Sequence, residues 1–145
     1  MPRVALALVV LVAAACGGRA AAPTPLWRAN TRDVVHQLRA DLAAVDVAGD
    51  TLPDARGALA STSDLYALLT AYSDLGGCRA MVSATQAPAP VVRRFAGACV
   101  HLERAAALFE QAVKAGDAAV LVRATREARG AQPALVAAAA AAERR

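Results

Sequence analysis

Two cysteines, Cys78 and Cys99, stand either side of Gln86-Ala87-Pro88-Ala89-Pro90, and the point midway between them falls inside that Pro-Ala-Pro segment. Prolines this close interrupt a helix, because each lacks a backbone donor and restricts the residue before it. In an antiparallel helical hairpin, residues equidistant from the turn face one another. The two sulfurs are therefore expected at the same height on neighbouring helices, joined as a disulfide. The pair is not a CxxC, and no nearby His or Cys completes a zinc site. Closing a loop of this size contributes on the order of 3 kcal/mol, a structural role rather than a catalytic one.

Periodicity extends the hairpin into an all-α, up-down-up-down four-helix bundle. Asn30-Thr31-Arg32-Asp33 has the composition of a helix start, followed by Val35, Leu38, Leu42 and Val45 at helical spacing. Gly49 and Pro53 break that pattern, and Thr51-Leu52-Pro53-Asp54 can open a second helix. Its stripe is Leu65, Leu68, Tyr72, Leu75 and Val82, interrupted by Gly76-Gly77. Adjacent glycines cost roughly 2 kcal/mol in a helix interior, so a kink is expected beside Cys78. Either the glycines let helices pass closely, or the bend opens a pocket. The third helix carries Val92, Phe95, Cys99, Leu102, Ala106, Phe109 and Val113, and stops at Gly116. Asp117 caps the fourth, with Leu121, Ala124, Ala128, Ala131, Leu135, Ala138 and Ala142 as its stripe and a bend near Gly130 and Pro133. Of the apolar 57%, most is alanine and valine and only 3% of the chain is aromatic. Each buried methyl removes little area from water at roughly 25 cal/mol per Å², so the core is thin and the bridge matters.

The N-terminal segment has a different character. Arg3 precedes an unbroken apolar run from Val4 to Ala15 that ends in Ala13-Ala14-Ala15-Cys16-Gly17. The run is too short to span a bilayer, which needs about 20 residues, and has the length and flanks of a signal-peptide core. Small residues before a cysteine resemble the lipobox of bacterial lipoproteins. Alanine stands at residue 13, where leucine is usual in that pattern. The resemblance covers residues 1–18 alone. It implies cleavage before Cys16, acylation of that cysteine (palmitate being a usual chain), and residence on the extracytoplasmic side of a cell-envelope membrane. Cleavage of an ordinary secretory signal near Ala15 is the alternative. Residues 1–15 are then the signal peptide, 16–29 a Gly/Pro-containing lipidated tether and 30–145 the helical domain. Trp27, placed just outside the first helix, is either a staple against the bundle or an interfacial anchor.

Charge separates along such a bundle. One end collects Arg19, Arg28, Arg32, Arg93, Arg94, Arg144 and Arg145 against Asp33 and Glu143; the other collects Asp46, Asp50, Asp54, Glu110 and Asp117 against Arg56 and Lys114. The basic end is the tethered one, and the expectation is that it faces an anionic leaflet. A net charge of +4 without a concentrated stripe or interleaved aromatics does not describe a nucleic-acid binder.

No catalytic grouping is apparent. Ser61, Ser63, Ser73 and Ser83 lack a GxSxG context, there is no glycine-rich phosphate loop, and no Glu-x-x-His pair for a di-metal bundle. His36 and His101 each flank a core stripe. They could serve as ligands of a metal or haem, with Tyr66 or Tyr72 as candidate partners, but nothing supplies the other ligands at helical spacing, and two ordinary boundary histidines are the expectation. The expected function is a non-enzymatic envelope lipoprotein, a helical interaction module with no cofactor or metal, contacting the membrane and another envelope protein. The alternative is a carrier of haem or a lipid, with its cavity near Gly76-Gly77.

Overall fold

The computed structural model describes residues 25–51 and 62–144. Within them all regular structure is helical, in five segments: α1 (Leu26–Thr51), α2 (Thr62–Gly76), α3 (Cys78–Ala84), α4 (Ala89–Ala115) and α5 (Ala118–Glu143). The all-α expectation holds, but the count of four helices is corrected to five, because the second arm divides at Gly77. There the backbone N–H donates to the carbonyls of both Ser73 and Asp74, at 3.1 and 3.0 Å, and the helix restarts at Cys78. Gly76 sits against α4 just before the break. A Cβ at that position would lie 3.1 Å from the Cβ of Ala106, so the bare backbone lets α2 lie close against α4. Of the two readings of the glycines, close passage is the one observed.

Cys78 opens α3 and is bonded to Cys99 on α4, with an S–S distance of 2.00 Å and Cα atoms 5.3 Å apart. Both residues are buried. Below them the connection turns through Gln86, at φ 58°, and Pro88. Buried Thr85 stabilises the corner: its hydroxyl donates to the Val82 carbonyl at 2.7 Å and accepts from the Ala87 N–H at 3.2 Å. Pro90 is not part of the turn. It occupies the first turn of α4, where a missing N–H costs nothing.

α1 begins at Leu26, four residues ahead of the expected start, and so takes residues 26–29 out of the tether. Thr31 is therefore no cap. It sits inside the helix, buried, donating its hydroxyl to the Trp27 carbonyl at 2.7 Å. Trp27 is likewise within α1, part-buried against the core. At the other end α1 continues through Gly49 to Thr51; one glycine costs only about 1 kcal/mol, too little to end a helix this long. The proposed opening of the second helix at residues 51–54 lies largely outside the described residues.

The stripes of α1 and α5 are buried as expected, all seven positions on α5 included, and α5 passes Pro133 as a single helix. On α4 the seam is displaced. Phe95, Cys99, Leu102 and Phe109 are buried, but the remaining seam positions are Val91, Ala98, Ala105 and Ala112. Val92 and Ala106 are half-buried, and Val113 is 44% exposed. Leu65, from the expected α2 stripe, is half-buried. Gly116 ends α4 in the left-handed conformation at φ 64°, and Asp117 Oδ1 accepts from the Ala119 and Val120 N–H groups, as the spacing predicts. α4 and α5 form the most extensive interface, with Ala98, Ala105, Ala124, Ala128 and Ala131 fully enclosed. Tyr72 and Phe109 stack with ring centroids 4.2 Å apart. The Tyr72 hydroxyl meets that of Thr125 at 3.5 Å.

Candidate functional site

Directions of the helices follow from their contacts. Asp46 on α1 pairs with Arg129 on α5, while residues near the start of α1 share a cleft with residues near the end of α5, so the two run antiparallel. The two-residue connection makes α4 antiparallel to α5 as well. The start of α1, the start of α4 and the end of α5 therefore lie at one end of the molecule. Arg28, Arg32, Arg93, Arg94 and Arg144 gather there, with Glu143; all but half-buried Arg28 are exposed. Cys16, Arg19 and Arg145 lie outside the described residues. The opposite group of charges is more neutral than its sequence suggests. Asp46 is paired with Arg129, Glu110 with Lys114, and Asp117 serves as a cap. Nothing is described for the side chains of Asp50, Asp54 and Arg56.

At the basic end a cleft of about 690 Å³ opens between α1 and α5. Its origin is a mismatch of side-chain length. α5 approaches with Ala139 and Ala142, whose methyl groups cannot fill the groove, while α1 contributes Arg28, Arg32, His36 and Arg39. Their spacing of four, four and three stacks them one helical turn apart along one edge. Trp27, Val35 and Ala40 supply apolar surface beneath. The Arg28 guanidinium lies 5.3 Å from the Trp27 ring centroid, a cation–π contact. Its Nε is the one buried side-chain nitrogen or oxygen among the described residues with no hydrogen-bond partner. The only carboxylate lining the cleft is Glu143. Among the described residues no carboxylate is within ion-pair distance of Arg28, Arg32 or Arg39.

The histidines separate. His36 borders the cleft, whereas His101 Nδ1 sits 2.7 Å from Glu127 Oε1, which also meets Arg104 at 3.5 Å. Tyr72 is enclosed beside Phe109 and Thr125, and burial raises its phenol above the usual value; Tyr66 is exposed. Neither histidine meets a tyrosine, and among the described residues no group of three His, Cys, Asp or Glu side chains is placed to hold a metal. Ser73 and Ser83 are exposed, and nothing is described for the side chains of Ser61 and Ser63. Gly76 and Gly77 line neither the α1–α5 cleft nor the shallow one beside Glu110, and a Cβ at Gly76 would meet that of Ala106 at 3.1 Å.

One further polar cluster was invisible in the pattern. Asp41 lies within the α1 stripe at 6% exposure. Gln37 Nε2 donates to both its oxygens, at 3.1 and 3.3 Å, and reaches Asp74 on α2 at 3.4 Å. Burial, with the Asp74 charge adding to it, pushes the Asp41 carboxyl up to about 6, against the opposing pull of the Gln37 amide.

No described helix is long and apolar enough to cross a membrane. No family model, curated protein or solved structure matches the chain.

Proposed function

We propose that this chain is a non-enzymatic, membrane-anchored lipoprotein of the bacterial cell envelope, a helical interaction module held on the extracytoplasmic side through an acylated Cys16. The observation that carries the reading is the apolar run Val4 to Ala15 closing on Ala13-Ala14-Ala15-Cys16-Gly17. A buried disulfide between α3 and α4 supports it, since such bridges persist in oxidising compartments. The arginines gathered at the end from which α1 starts support it too. Each basic residue near an anionic leaflet gains about 1 kcal/mol, enough together to orient a bundle that its tether already holds close.

Mass spectrometry of the protein recovered from its native membrane tests the anchor. The expected result is an N-terminal Cys16 carrying acyl chains; a mature chain still beginning at Met1 sinks the proposal. Orientation is tested with an unlipidated Cys16→Ser form on anionic vesicles. Replacing Arg93, Arg94, Arg144 and Arg145 with glutamine must weaken binding, and unchanged binding removes the role of the basic end. Haem or lipid carriage, with a cavity near Gly76-Gly77 or in the α1–α5 cleft, is the alternative.

A further inference from the structure

We propose that the cleft between α1 and α5 binds an anionic amphiphile through its phosphate headgroup, with the first methylenes of its tail lying on the alanine and tryptophan floor. The inference rests on the carrier reading of the cleft and not on acylation of Cys16.

Three features point to this chemistry. First, the cleft has the size of a small-molecule site, about 690 Å³, with two unlike walls: the methyls of Ala139 and Ala142 from α5 on one side, and on the other the guanidinium groups of α1 beside the Trp27 indole. A purely polar anion leaves the first wall uncovered, and a neutral lipid leaves the second without a partner. Second, Arg28, Arg32 and Arg39 lie along one edge of α1, and no described carboxylate pairs with them. Three arginines elsewhere on the surface are engaged: Arg79 with Glu103, Arg104 with Glu127, Arg129 with Asp46. A carboxylate is saturated by one guanidinium fork. A phosphate exposes oxygens in several directions and can be held by two guanidiniums one turn apart, which is the spacing of Arg28 and Arg32. Third, the Arg28 Nε is sequestered from solvent without an acceptor, whereas buried donors are ordinarily paired. Glu143, in the last turn of α5, is the one carboxylate that lines this cleft.

Trp27 is the only tryptophan of the chain and lines the cleft, so its fluorescence reports occupancy. The full chain, purified in a non-ionic detergent, is titrated with dihexanoyl phosphatidic acid, dihexanoyl phosphatidylcholine or inorganic phosphate. Native mass spectrometry counts adducts. The expected result is one saturable equivalent of phosphatidic acid with a shift in Trp27 emission. Inorganic phosphate and the zwitterionic lipid should bind at least about tenfold more weakly. Arg28→Gln with Arg32→Gln weakens the phosphatidic acid site about tenfold or more, while Arg123→Gln with Arg126→Gln, exposed on α5 away from the cleft, leaves it within about twofold. Should the double variant lose helicity, Arg32→Gln alone, at an exposed position, must still weaken binding about threefold. Equal loss in the Arg123/Arg126 pair reduces the effect to general surface charge and overturns the site. Equal affinity for free phosphate overturns the amphiphile, and equal affinity for phosphatidylcholine overturns headgroup selection. An empty cleft on an acylated chain would leave the lipoprotein reading standing.

Discussion

Replacing Asp41 with asparagine should stabilise this protein at neutral pH and do much less in acid. Asp41 is placed among the apolar side chains of α1, its carboxyl held near 6 by burial and by Asp74, against an ordinary 3.8. Because the folded state holds the proton more tightly than the unfolded chain, the group favours folding most below the unfolded value. That contribution is lost as pH rises through about 6. A shift of about two units at ~1.4 kcal/mol each sets an upper bound of about 3 kcal/mol, and solvent screening through exposed Gln37 brings the expectation to roughly 1–3 kcal/mol. The substituted amide would keep the Gln37 contact and carry no charge at any pH. Urea unfolding followed by helicity, on wild type and Asp41→Asn in parallel, should show this gain in full at pH 7.5. At pH 4 it should shrink to roughly a fifth of that. Equal gains at both pH values, or a loss at pH 7.5, would refute the claim that a buried charge is the source.

Two other perturbations test the frame. Removing the bridge, by reduction or by Cys78→Ser with Cys99→Ser, should lower unfolding stability by about 3 kcal/mol, read as a shift in urea midpoint. Two glycines should respond oppositely: Gly76→Val, driven against Ala106, should cost about 1–3 kcal/mol, whereas Gly130→Ala, with open space around it in α5, should gain about 0.4–1 kcal/mol. Thermal melts of the two variants compare them directly.

Legibility varied with what each residue type can signal. α5 reads correctly in its first half because Arg123, Arg126, Arg129 and Gln132 mark the outer face, whereas residues 134–142 are all alanine, leucine or valine and only the continued helical spacing picks out Leu135, Ala138 and Ala142. On α4 polarity is silent: Val91 and Val92, Ala105 and Ala106, Ala112 and Val113 are adjacent apolar choices, and favouring the larger member turns the stripe toward solvent at Val113. The break at Gly77 was signalled by composition, but its outcome depended on Ala106, a residue distant in sequence. Asn30-Thr31 looks like a cap because nothing local reveals that Trp27 packs on the core and draws the helix back to Leu26. The cleft was hardest to foresee. It arises where alanines fail to fill a groove, and Arg39, absent from the basic group read from sequence, completes its edge. Arg28 and Arg32 were legible as charges but not as a paired ladder, since pairing needs the position of α5.

The short α3 shows what the bridge does for the order of assembly. Seven residues are below the length at which a helix persists alone in water, and this one is stapled at its first residue. α4 and α5, long and joined by two residues, can form their hairpin from neighbouring sequence alone. The segment from Cys78 to Ala84 is held by the bridge at its first residue and by buried Val82, so reduction should loosen this turn before the α4–α5 hairpin.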